Sequence, residues 1–90
     1  MIALNYSVLV YKDYHVEAPK ETPGNGVHSD IVHTIVNTRY HLIYVWLYNK
    51  KEYWFFPIYD DGIFLDGYGW NGYNWIKTKI RMASIKSYCC

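Results

Sequence analysis

Apolar positions recur with a period of two along most of this chain, which is the pattern of strands that turn one face inward. Residues 2–12 alternate loosely, with Ile2, Leu4, Tyr6, Val8 and Val10 on one side, and predict a first strand. Beyond Arg39 the pattern strengthens: Tyr40, Leu42, Tyr44, Trp46 and Tyr48 share one face, and His41, Ile43, Val45 and Leu47 share the other. Both faces are apolar, so this strand is expected to be covered on both sides. Polar residues 49–52 then make a hairpin turn. Residues 53–59 return as a second strand, in which Pro57 requires an edge position or a bulge. Asp60-Asp61-Gly62 turns the chain into a short strand over 63–65, ended by Asp66-Gly67. The cleanest alternation spans 76–84, where Ile76, Thr78, Ile80 and Met82 oppose Lys77, Lys79 and Arg81, and residues 85–88 extend it.

Three segments depart from that period. Residues 18–29 hold two of the three prolines and two glycines and read as a loop. Residues 30–38 admit two readings. Ile31, Val32, Ile35 and Val36 fall on one helical face behind a Ser29 or Asp30 N-cap, while their β-branching favours an extended strand. Residues 67–75 read as a glycine-rich loop with Tyr68, Trp70, Tyr73 and Trp75 spaced along it. The expected fold is a β-dominated α+β or all-β single domain over 1–90: a small antiparallel sheet or partial barrel of about five strands with at most one short helix.

Composition narrows what such a fold can do. The chain is 20% aromatic and only 19% charged, which excludes disorder and gives a short domain the large side chains its core needs. Tyr is abundant and Ala rare, a bias that an AT-rich genome also produces. The net charge of +1 gives no global attraction to nucleic acid or membrane. It divides unevenly, −2 over residues 1–38 and +3 over 39–90. No apolar run approaches the ~18 residues of a membrane span, and residues 1–11 lack the features of a signal peptide, so a cytoplasmic protein is expected. Cys89 and Cys90 are adjacent, and the expected state is an inert, frayed tail without an internal disulfide.

The candidate binding residues are Tyr68, Trp70, Tyr73 and Trp75 with the basic residues Lys77, Lys79 and Arg81 beside them. Aromatic faces stack on bases at about 1–3 kcal/mol each, and a cationic row tracks phosphates. The same residues serve a sugar surface or a protein interface, where Tyr and Trp bring large contact area. Lys77, Lys79 and Arg81 also read simply as a solvated face that deters edge-to-edge pairing. His15, His28, His33 and His41 with Asp30 match no metal-ligand spacing, and Asp60, Asp61 and Asp66 fall in expected turns, so no metal, cofactor or catalytic group is assigned. The functional expectation is a small non-enzymatic module that binds and occludes a larger macromolecule, of the kind a virus or mobile element encodes as an accessory protein. A protein partner leads, single-stranded nucleic acid or carbohydrate follows, and a homodimer would bury surplus aromatic surface.

Overall fold

The computed structural model describes residues 17–90; the strand expected over 2–12 and His15 lie outside them. The segment before the helix is irregular, as its prolines and glycines require. It is tied to the sheet at Val27, whose N–H donates to the Tyr88 carbonyl at 2.7 Å and whose carbonyl accepts the Tyr88 N–H at 3.3 Å. Gly26 permits this approach, because a Cβ there would strike the Tyr88 main-chain carbonyl.

Of the two readings of residues 30–38, the helix is realised. Helix α1 (Ile31–Ile35) is followed by a 3-10 turn, Val36–Thr38. Asp30 enters it with φ 54° and makes no side-chain cap. Its carbonyl instead accepts the N–H groups of His33 and Thr34 and the Thr34 hydroxyl. Burial outweighs β-branching here: Ile35 is fully enclosed in the core, with Ile31 and Val36 packed against it. The Tyr88 hydroxyl fixes the helix to the sheet by donating to Thr34 Oγ1 at 2.7 Å.

Five strands follow: β1 (Ile43–Leu47), β2 (Glu52–Asp60), β3 (Phe64–Trp70), β4 (Trp75–Arg81) and β5 (Ile85–Cys89). They form one antiparallel sheet in the order β4-β3-β2-β1-β5, so the β-dominated fold with one short helix is as expected. Pro57 sits in the central strand, and the register with β3 slips between Pro57 and Tyr59, which is the bulge its missing N–H requires.

Several expectations fail. The short strand over 63–65 and the loop over 67–75 are one hairpin: β3 runs through Gly67, Tyr68 and Gly69 to Trp70, and only Asn71–Asn74 turns. Asp66 therefore lies in a strand rather than a turn. Residues 85–88 do not extend the preceding strand either, because a 3-10 turn, Met82–Ser84, sends β5 to the opposite edge beside β1. The last residues are not frayed, since Cys89 pairs with Tyr44 in the ladder and is joined to Cys90 by a disulfide.

The β4–β5 link shows that the sheet curls. Four strand spacings of about 4.8 Å would separate β4 from β5 by about 19 Å in a flat sheet, whereas the linker reaches at most about 14 Å. Closure is fixed at both ends of the turn, where Met82 N–H donates to the Ile63 carbonyl and Tyr48 N–H to the Ser84 carbonyl. Inside the curl lies an aliphatic core of Ile43, Val45, Leu47, Leu65, Ile80 and Ile85 with Phe55 and Met82. Outside lies a second cluster, Phe56 and Trp75 with Trp54, Tyr68 and Trp70, partly roofed by Ala18.

Candidate binding face

Strand alternation decides where each candidate residue points. In β3, Gly67 and Gly69 take the inner face with Leu65, so Tyr68 and Trp70 point outward. Both glycines are packing positions: a Cβ on Gly67 would strike the Phe56 carbonyl, and one on Gly69 would stand 3.2 Å from the Tyr53 ring. The rings of Phe55 and Tyr53 thus occupy space that side chains would have filled. In β4 the outward positions are Trp75, Lys77, Lys79 and Arg81. Six of the seven candidates share the outer face of the β3–β4 hairpin. Tyr73 is the exception, 84% exposed at the tip, where Gly72 at φ 103° and the Asn71 Oδ1, which accepts from the Tyr73 and Asn74 N–H groups at 2.8 Å, shape the turn.

Their environments differ. Trp75 is only 6% exposed and belongs to the outer cluster, so its first role is packing, contrary to the expectation of a free loop aromatic. Trp70 meets it at 5.1 Å between ring centroids with the planes tilted by 55°. The three cations lie over rings: Lys77 Nζ is 5.9 Å from the Tyr68 centroid, Lys79 Nζ 5.1 Å and Arg81 Cζ 5.9 Å from that of Phe64. Such contacts hold a charged head in place at a modest gain, roughly 0.5–1 kcal/mol at exposed sites.

A groove of about 720 Å³ opens beside Trp70, walled by Tyr44, Trp54 and Trp70, with Lys51, Glu52 and Asn71 among its polar lining and residues 17–20 and 22 along its far side. A second hollow of about 380 Å³ opens on the inner side of the same hairpin tips, lined by Leu47, Gly69, Ile76 and Thr78, and shares Lys51, Tyr53, Trp70 and Asn71 with the groove. The sequence places the β1–β2 aromatics on strands and gives no sign of this wall. Only the cross-strand register brings it together, with Tyr44 opposite Trp54 and their rings edge-on at 5.0 Å.

Burial, and then the hydrogen bond its hydroxyl donates to Glu52 Oε1 at 3.0 Å, push the Tyr44 phenol up to about 12. Burial also raises Tyr53. The indole Nε1 of Trp54 is buried without a hydrogen-bond partner. Away from this face, Asp61 accepts the N–H groups of Ile63 and Phe64 at 2.9 and 2.8 Å, the turn role expected of it, and the Phe64 and Ile63 bonds lower its pKa. Among the described residues no group of three His, Cys, Asp or Glu side chains is placed to hold a metal, and His41 bonds the Arg39 carbonyl through Nδ1. No helix among them is long and apolar enough to cross a membrane. Comparison with protein-family models, curated proteins and solved structures finds no match, and the functional argument rests on this face and its groove.

Proposed function

We propose that the protein is a non-enzymatic interaction module that binds and occludes a protein partner through the outer face of the β3–β4 hairpin and the adjoining groove. The supporting observation is the groove walled by Tyr44, Trp54 and Trp70 with Lys51, Glu52 and Asn71 in its lining, a combination of aromatic and polar groups of the kind protein interfaces use. Base stacking is less favoured, because the Tyr68 and Phe64 rings already carry Lys77, Lys79 and Arg81 and the groove aromatics meet edge-on or tilted rather than as an open platform.

Affinity capture from lysate of the source cell, with and without nuclease, tests the reading. A protein that survives nuclease and is lost with Trp70→Ala supports it. Material removed by nuclease and lost instead with Lys77→Ala/Lys79→Ala would move the assignment to single-stranded nucleic acid.

A further inference from the structure

Building on the reading of a protein-binding module, we infer that the free edge of β4 takes up an extended acidic segment of the partner as a sixth strand. The strand order ends at β4, and among the described residues no strand or isolated bridge pairs with its outer side. Hydrogen bonds at the two ends of the hairpin fix which main-chain groups face that side. Asn71 N–H donates to the Asn74 carbonyl and Met82 N–H to the Ile63 carbonyl, and between them the register pairs Gly69 with Ile76, Gly67 with Thr78 and Leu65 with Ile80. Antiparallel ladders alternate bonded and non-bonded pairs, so Ile76, Thr78 and Ile80 bond to β3 while Lys77, Lys79 and Arg81 direct N–H and C=O to the outer edge.

The residues that present those main-chain groups also carry the charges. Lys77, Lys79 and Arg81 recur every second residue, about 6.8 Å apart along the strand, on one face. Among the described residues the one ion pair is Arg39 with Asp60, so no bridging carboxylate neutralises the row. Asp66 is the register partner of Lys79, and Asp61 feels its charge, but neither closes an ion pair with it. Antiparallel pairing of two copies through β4 would set these cations against each other, which argues against the β4 edge of a second copy as occupant. An added strand with Asp or Glu at alternate positions sets a carboxylate opposite each of Lys77, Lys79 and Arg81, whose heads, now over the Tyr68 and Phe64 rings, turn outward to meet it. Its intervening apolar residues fall on the other face, beside Ile76, which is 47% exposed. Main-chain hydrogen bonds would supply affinity and the alternating pattern specificity.

The test titrates a capped peptide, Thr-Glu-Val-Glu-Val-Glu-Thr, into the labelled protein and follows backbone amides. Lys77 and Lys79 amides are expected to shift and to gain protection from exchange, while those of Ile76, Thr78 and Ile80, already bonded to β3, do not. Lys79→Pro deletes an edge-facing N–H without breaking the β3–β4 ladder and should weaken the peptide roughly tenfold or more, with Lys79→Ala milder. Should Lys79→Pro not fold, a peptide N-methylated at alternate residues poses the same question to the wild type. Undiminished binding by the proline variant or the methylated peptide overturns the proposal. So does equal binding of the Lys-for-Glu peptide, or no binding at about 1 mM peptide, where even a weak specific contact registers. In lysate capture, a partner retained by Lys79→Pro removes the edge pairing and leaves the interaction reading standing, whereas no partner for the wild type removes that reading.

Discussion

The inner and outer faces of one sheet solve different packing problems with different side chains. On the concave side the strands converge, space is short, and aliphatic residues fill it around Phe55, with glycines at 67 and 69 where rings cross β3. On the convex side neighbouring side chains splay apart, and only rings bridge the gaps: Tyr44 meets Trp46 and Trp54 at 5.0 Å each, and Trp70 meets Trp75 at 5.1 Å. Outer packing is also less complete, since the Trp54 indole N–H is enclosed without an acceptor, at a cost of about 1–3 kcal/mol. The aromatic excess of the chain therefore serves mainly the outer face, where the same rings support the fold and wall the groove.

If this contrast holds, substitutions should separate into those that unfold the protein and those that leave it folded but alter the face. Phe55→Ala empties the centre of the inner core and should cost about 3–5 kcal/mol, a large part of the stability of so small a domain. Urea unfolding followed by circular dichroism measures it, and a loss below about 1 kcal/mol would mean the inner face is not the main source of stability. Next comes Gly67→Ala. Its Cβ meets backbone, so about 1–3 kcal/mol is expected, more than for Gly69→Ala, whose nearest contact is the Thr78 hydroxyl at 3.0 Å.

Trp70→Ala should cost only about 1–2 kcal/mol, because the ring is half-buried, while the variant stays folded at room temperature. Equal damage from Trp70→Ala and Phe55→Ala would erase the distinction between the faces. Tyr44→Phe loses one hydrogen bond, about 0.5–1.5 kcal/mol. The Tyr44 pKa is raised, so the unfolded chain ionises first, and the stabilisation is present below pH 10 and lost as pH rises through about 12. Denaturant midpoints across that window should fall less steeply for Tyr44→Phe, with a remainder from Tyr53, whose pKa is also raised. Smallest of all, Tyr73→Ser at the exposed tip should shift the midpoint by less than about 0.5 kcal/mol equivalent.

Local chemistry made much of the fold legible. Alternation in β1 and β2, the polar turn between them, the Asp61-Gly62 turn and the Pro57 bulge each follow from a few neighbouring residues. Two misreadings had signals within the chain. Glycines at 67 and 69 alternate with Tyr68 and Trp70, a strand period hidden by a composition that resembles a loop. Met82 and Ile85 are both buried, an interval of three that breaks the period of two exactly where the 3-10 turn redirects the chain. The candidate face was half legible: its β3 and β4 residues follow from the sequence, but Tyr44, Trp54, Lys51 and Glu52 join them only across strands.

The sequence by itself therefore determined β1, β2 and the turns that follow each of them, with the side of those strands each residue takes, because period, turn chemistry and proline geometry act over a few residues. Tertiary structure decided three further things: that residues 31–35 are helical, that β5 crosses to the far edge, and that rings from three strands wall one groove. Each depends on contacts distant in sequence. Ile35 needs a core to enter, β5 needs an unpaired β1, and the groove needs the β1–β2 and β2–β3 registers that set Tyr44, Trp54 and Trp70 side by side.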